Sequence, residues 1–293
     1  MVSIIVLTFN RFSLLCKTLS SLIEQTYKDF EIIVVNDGST DETVNLESYF
    51  FDKRIKLFNL EKKNNLAKLR NFGVQQSEGE CIAFCDDDDL WIKSKLEIQI
   101  EQLKKYNFVC SNAKLIDIND KIINNKYLHY DSSCMITTKD LLLNNMIMPS
   151  SVVFYKNILK DDKPFDEKSY INLCEDYNLW IKLSGIVKLY FFNEELILHR
   201  VHNSWARSFN HSQQIYVNHI SLIKPFTDNP DIEIRKAAYL SIINNKIYKI
   251  KNLLNHNKYA EALNDISGFL LMLIIPGYLA AFIKRLKMFL FKR

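Results

Sequence analysis

Residues 86–89 are four consecutive aspartates, set between the apolar run Cys81-Ile82-Ala83-Phe84-Cys85 and Leu90-Trp91. Adjacent carboxylates repel one another, so a folded chain keeps them together only with compensating positive charge. A hard divalent cation is one such compensator, because Mg²⁺ and Mn²⁺ take oxygen ligands. Mg²⁺ in particular keeps a few carboxylates and fills its other positions with water and substrate phosphates. The end of a buried strand is also where open α/β sheets hold their ligands. The rival reading is a solvated acidic turn, which the flanking strand and Leu90-Trp91 weigh against. A second acidic pair, Glu175-Asp176, lies far along the chain beside Tyr177, Leu179, Trp180 and Leu183. On its own such a pair is an exposed acidic turn; among those neighbours it fits a carboxylate held at a pocket wall.

The elements that must position these groups alternate through the first hundred residues. Val2–Thr8 is an apolar, β-branched strand, and Arg11–Gln25 carries Phe12, Leu15, Leu19, Leu22 and Ile23 at helical spacing. Phe30–Val35 is a second strand, ended by Asn36-Asp37-Gly38-Ser39, a turn signal that also caps a following helix. Residues 54–60 alternate as a third strand, 66–77 form a helix, 81–85 a fourth strand, and a further helix starts near Lys93. Continuous apolar strands between helices predict an α/β fold with a mostly parallel sheet covered on both faces. Beyond Lys105 the pattern mixes a hairpin at 108–123, a short helix at 138–145, a strand at 151–155, a helix at 175–184 and strands at 187–192 and 196–202. After His211 the chain reads as helical.

The 293 residues carry 48% hydrophobic and 25% charged side chains, as in an ordinary globular protein, and a net charge of +4 too small to imply nucleic acid. Neither a Gly-x-Gly-x-x-Gly turn nor a P-loop is present, against dinucleotide redox chemistry and P-loop phosphoryl transfer. The six cysteines contain no Cys-x-x-Cys pair, and Met1 runs straight into a strand without a leader. Both point to reduced thiols and a cytoplasmic protein. The tail differs in kind: residues 266–283 are uncharged, and Lys284, Arg285, Lys287, Lys292 and Arg293 follow without an acidic residue. Pro276-Gly277 interrupts the apolar stretch, so an interfacial or re-entrant element drawn to anionic lipid is expected rather than a clean span. A helix packed on the catalytic domain is the alternative.

Four further segments give the acidic run a context: Val2–Arg11, Glu31–Asp41, Leu69-Arg-Asn-Phe-Gly73 and Cys174–Trp180. In this order and spacing the chain, from residue 2 to about 205, resembles the inverting family 2 glycosyltransferases with the GT-A fold. The resemblance implies a Rossmann-like catalytic domain at 1–205, divided into a nucleotide-binding half (1–105) and an acceptor-binding half (106–205), with a helical region at 206–293. It places Thr8, Phe9, Arg11, Asp37 and Arg70 at the nucleotide of the donor, Phe9 stacking on uracil and Asp37 accepting from the uracil ring. Its Asp-x-Asp falls on Asp86 and Asp88. Asp88 is the first candidate for the metal with Asp86 in support, and Asp87 is assigned to the ribose. His202 matches a histidine that reaches the metal or diphosphate in some members. Asp176 matches the catalytic base, with Ser150, Ser151, Glu175 and Trp180 on the acceptor side. Asp89 is left to cap the helix after it or to back up the metal site, and His199 has no assigned role.

By that resemblance the chain is a hexosyltransferase that needs Mn²⁺ or Mg²⁺ and makes one bond from a UDP-sugar. The processive members' Gln-x-x-Arg-Trp motif is absent. The basic tail and overall size resemble bacterial enzymes of O-antigen, lipopolysaccharide or capsule synthesis, which act on undecaprenyl-diphosphate-linked sugars at the inner face of the cell membrane. Within that group UDP-glucose, β-1,3 to a GlcNAc-diphospho-lipid, stands first, and UDP-galactose and UDP-GlcNAc are its rivals. A silent nucleotide-sugar-binding scaffold and a nucleotidyltransferase are the competing classes. Keeping Asp37, Asp88 and Asp176 together argues against the first, and a distant Asp176 argues against the second.

Overall fold

The computed structural model describes residues 1–168, 173–201, 209–273, 275 and 277–283, of which 209–211 by backbone alone. It divides into two compact units. The first unit comprises Met1–Thr137, Met146–Ser169 and Glu175–His202. Its strands in chain order are β1 (Val2–Thr8), β2 (Phe30–Asn36), β3 (Ile55–Asn59), β4 (Cys81–Asp86), β5 (Leu90–Trp91), β6 (Phe108–Ile116), β7 (Ile122–Asn124), β8 (Cys134–Ile136), β9 (Val152–Tyr155) and β10 (Leu189–Arg200). Its helices are α1 (Phe12–Ile23), α2 (Leu66–Gln76), α3 (Lys95–Leu103) and, following α4 of the second unit (Thr138–Leu143), α5 (Glu175–Ser184).

One mixed sheet runs β3-β2-β1-β4-β9-β6-β10-β5, with β7 on β6 and β8 on β10. β3, β2, β1 and β4 are parallel, β9 is antiparallel to both β4 and β6, and β6 and β10 are parallel again. β1, β2 and β4 are almost wholly buried, as expected where both faces of a sheet are covered, whereas β3 at the edge is half-buried. Val2, Ile4, Val6, Ile32, Val34, Cys81, Ala83 and Cys85 form one cluster with Leu15, Leu19 and Leu22 of α1 and Leu96 and Leu103 of α3. On the other face α2 lies close enough that a Cβ on Gly73 would stand 2.5 Å from Ile5 Cγ2. There too Phe84 meets Phe165 edge-on at 5.5 Å, with Trp180 of α5 at 6.5 Å. The register sets Asn36 beside Thr8 and Asp86 beside Leu7, so β1, β2 and β4 end together.

The structure departs from the sequence reading at several junctions. The turn after β2 leads into a 3₁₀ helix (Glu42–Ser48) whose amide at Thr43 is capped by Asp41, two positions past the expected turn. The helix expected from Lys93 begins at Lys95 behind Ser94, and Asp89 does not cap it. The two strands read at 187–192 and 196–202 are one long β10, with register shifts between Phe192 and Ile197 that only its pairing to β6 reveals. β5 and β8 are too short for a periodicity to show.

The second unit comprises Thr138–Asn145, Tyr170–Cys174 and Asn203–Arg293. Its helices α6 (Phe209–Ile223) and α8 (Tyr259–Met272), with α4, all pack on the long α7 (Ile232–Asn255). Leu240 and Ile243 of α7 meet Phe269 and Ala281, which close a small core of their own. α8 and the helix Gly277–Ile283 are bent by 110° at their break, and no single helix among the described residues is long and apolar enough to cross a membrane.

Candidate active site

Two loops fold together at the ends of β1 and β2. Asn10 adopts a left-handed φ of 50°. There its amide donates to Ser39 Oγ at 2.8 Å, and its Oδ1 accepts the Thr40 amide at 2.7 Å. Asp41 Oδ2 accepts the amide of Phe12 at the start of α1 (3.0 Å). Buried Thr8 accepts the Asp37 amide at its carbonyl (2.9 Å). The Asp37 carboxylate accepts the amides of Lys63 (2.5 Å) and Asn64 (3.1 Å), which fixes its orientation from the β3–α2 loop. Phe9 lies beside this pair, 37% exposed, with Lys62 Nζ 3.8 Å above its ring centroid. The ring expected to receive uracil therefore already carries a cation on one face.

The acidic run turns away from β4, and its side chains have separate surroundings. Asp86 is the most open, its side chain 42% exposed, while its amide donates to Ser150 Oγ at 3.0 Å. One nitrogen, Arg11 Nη1, bridges Asp87 Oδ1 (2.9 Å) and Asp88 Oδ2 (2.8 Å). Asp89 is fully buried; its carboxylate takes His199 Nδ1 at 3.0 Å and the Arg200 amide at 2.9 Å. Burial pushes Asp87 up to about 6, with Asp88 adding to it and Arg11 opposing. Asp86 is raised to about 7, by burial and then by Asp89, although its exposure leaves water to temper that shift. His199 goes the other way from its burial: Asp89, Asp86 and Asp88 lift it to about 9 and make it an imidazolium. The compensation for the four carboxylates is thus Arg11, His199 and Arg70, with the Arg200 amide on Asp89, not a solvated turn.

Arg70, expected at the nucleotide, is 6% exposed and engages carboxylates. Its Nη1 pairs with Glu175, its Nη2 lies 3.9 Å from Asp86, and Phe165 sits beneath the guanidinium. Burial works against its charge, yet Glu175, Asp176 and Asp86 together hold it firmly protonated. Glu175, expected on the acceptor side, is buried in that pair. Trp180 is a correction too: it is fully buried, edge-on to Phe108 at 5.2 Å, because helical spacing turns it to the sheet. Ser150 and Ser151 are likewise buried, Ser150 under Asp86 and Ser151 donating to the Met148 carbonyl at 2.7 Å. Asp176, at the first turn of α5, is half-buried, and burial raises its carboxyl while Arg70 and backbone amides oppose. His202 lies outside the described residues.

Sequence reasoning passed over three contributors. Asn71 holds the 165–167 segment, accepting the Phe165 amide and donating to its carbonyl, both at 2.9 Å. His199 and Lys95 are the others. Lys95 is fully buried, its Nζ 3.6 Å above the Trp91 ring and without a hydrogen-bond partner among the described residues. Asn71 stands inside the 69–73 motif without a role of its own and Lys95 follows its partner Trp91 by four residues, whereas His199 meets Asp89 only through the tertiary fold.

The acidic run at the end of β4 and the half-buried Asp176 of α5 are thus joined electrostatically through one buried arginine. The family model for glycosyl transferase family 2 matches residues 3–159, more than half of the chain. The chain belongs to that family. Its match to the Escherichia coli UDP-Glc:α-D-GlcNAc-diphosphoundecaprenol β-1,3-glucosyltransferase WfgD is 35% identical over 186 residues, 62% of this chain and 69% of the relative. An uncharacterised glycosyltransferase of Rickettsia felis is 29% identical over 273 residues. The chain spans only 43% of that relative's length and 36% of one from Rickettsia bellii. In fold, it is similar to the crystal structure of S. aureus TarS 1-349 with UDP-GlcNAc: TM-score 0.65, 18% identity, 87% of this chain and 72% of that one. The family's GT-A architecture is thus that of the first unit's sheet and helices.

Proposed function

We propose that this chain transfers one sugar, with inversion, from a UDP-sugar to a lipid-diphosphate-linked sugar. The observation that carries the proposal is Arg70, which ties the acidic end of β4 to the first turn of α5 and so sets donor and base at a fixed separation. In this reading the Asp176 carboxylate takes the proton of an acceptor hydroxyl as its oxygen attacks the anomeric carbon. The anomeric carbon–oxygen bond to UDP breaks in line, and UDP leaves with the electron pair. A general base must be ionised, and the burial that raises Asp176 also brings it nearer the working pH. The E. coli relative's printed activity favours UDP-glucose and a β-1,3 bond to a GlcNAc-diphospho-lipid. The ligand of the TarS structure keeps UDP-GlcNAc as a rival donor.

Mn²⁺ or Mg²⁺ belongs to the same proposal. Among the described residues no three His, Cys, Asp or Glu side chains converge into a complete cage. The donor set fits a cation that takes part of its shell from phosphate and water: hard oxygens on Asp86 and Asp88, and carboxyls at Asp86 and Asp87 raised first by burial and then by neighbouring carboxylates. Bound there, the ion would offset charge on the departing diphosphate. We also place the protein at the inner face of the cell membrane, on the exposed apolar residues of α8 and of Gly277–Ile283 and the basic tail behind them.

The deciding assay offers UDP-glucose, UDP-galactose and UDP-GlcNAc with Mn²⁺ and a synthetic GlcNAc-diphosphate-lipid, followed by linkage analysis. Asp176→Asn is expected to lower kcat by about 10²- to 10⁴-fold while UDP still binds. Full activity in that variant refutes the base assignment. UDP binding without transfer from any donor by the unaltered protein would instead identify a scaffold.

A further inference from the structure

Behind the acidic run lies a set of charges that the proposed reaction does not use. Arg200, at the end of β10, is 3% exposed. Its Nε donates to the Asp88 carbonyl and its Nη1 to the Asp117 carbonyl, both at 2.8 Å. Its Nη2 is 2.6 Å from Asp120 Oδ1, and its amide donates to the Asp89 carboxylate at 2.9 Å. Asp120 belongs to the β6–β7 turn, which Asp117 Oδ1 closes by accepting the Asn119 and Lys121 amides at 2.9 Å. On its other side Asp120 meets Lys17 Nζ of α1 at 2.5 Å.

Three physical points converge on Asp120. A buried guanidinium needs compensation all round; here its fork donates to two carbonyls, and its remaining nitrogen, without a hydrogen bond among the described residues, is answered by the charge of Asp120. Holding the Asp88 carbonyl fixes the plane of the Asp88–Asp89 peptide, while the Asp89 carboxylate is pinned from the same strand end. That leaves the peptide little freedom to rotate. Finally, Asp120 stands at φ 66°, a left-handed conformation that glycine adopts without cost and aspartate does not. The left-handed turn does not call for aspartate there, whereas the Arg200 ion pair uses its carboxylate.

We propose that Asp120, acting through Arg200, is a positioning residue for the acidic run, holding the Asp88–Asp89 peptide so that Asp87 and Asp88 are presented on the Arg11 side. The catalytic half of this statement rests on the transferase reading; the structural half does not. Asp120→Gly is the decisive variant, because it keeps and eases the left-handed turn while removing the carboxylate. In the ligand-free protein, hydrogen exchange of a peptide covering 86–91 is expected to quicken about tenfold, with β1 and β2 unchanged. In the transfer assay kcat is expected to fall about ten- to a hundredfold, with the acceptor KM within about twofold of wild type. Asp120→Asn keeps the turn and a neutral acceptor and should recover part of both. Unchanged exchange and turnover in Asp120→Gly overturns the proposal. So does loosening spread evenly over β6 and β10, which would make Asp120 a general prop of the sheet. If the unaltered protein transfers no sugar, the function reading falls and the exchange experiment still decides the positioning role.

Discussion

Four neighbouring aspartates share one charge problem, and each meets it differently. Asp87 and Asp88 share Arg11, Asp89 is held by an imidazolium, and Asp86 faces Arg70 at longer range. The residue least well served nearby is Lys95, buried over Trp91 with no carboxylate against it among the described residues. Burial lowers its pKa from 10.5 to about 7. A lowered lysine means that the folded state disfavours the charged form, so stability is lost below the unfolded value. It is regained as pH rises from about 7 toward 10.5. Lys95→Met keeps the stem's volume and is expected to raise unfolding free energy by about 1–4 kcal/mol near pH 7.5. The gain over wild type should shrink toward zero near pH 10, as read by urea denaturation across pH. A gain that does not change with pH would show that charge at Lys95 is not its source.

At the scale of elements, the close approach of α2 to β1 brings Arg70 and Asn71 to the site. Gly73 permits that approach, since a Cβ there would stand 2.5 Å from Ile5 Cγ2. Gly73→Ala is expected to cost about 1–3 kcal/mol through overpacking, measured by thermal or urea unfolding. The Gly73→Ala/Ile5→Ala double variant should lose less than the sum of the two single losses, because the cavity accepts the new methyl. Simple additivity would show that the two residues do not press on each other. The glycine stood in the sequence motif, but its reason did not, because helix-to-strand distance is a tertiary quantity. β10 teaches the same lesson: its bulges between Phe192 and Ile197 made one strand look like two.

Across the whole molecule, the apolar tail presents two faces. Phe269 and Ala281 pack against α7, while Leu270 and Leu271 are 59% and 66% exposed and Ile275 is 49% exposed. Removing residues 266–293 would therefore open the second unit's core along with any lipid contact. The triple variant Leu270→Ser/Leu271→Ser/Ile275→Ser spares that core and is the better probe. Its binding to vesicles containing anionic lipid is expected to fall at least about fivefold, and that of the unaltered protein to weaken with salt. Undiminished vesicle binding by the triple variant would remove the lipid-surface proposal.

The apolar runs of β1, β2 and β4, the helical spacing of α1 and α2 and the position of the acidic run are all written locally, in periods of two or 3.6 and in turn residues. They determined the α/β fold and the strand end at which chemistry would sit. The partners were not legible there. Arg11 reaches Asp88 across 77 positions, Arg70 reaches Glu175 across 105 and Arg200 reaches Asp88 across 112. Such pairs follow from the order and register of strands and from helices crossing the sheet, which no local pattern specifies. Sequence thus marked where negative charge gathers, whereas the tertiary structure decided which cations answer it and moved Trp180, Ser150, Ser151 and Glu175 from the expected acceptor wall into the scaffold.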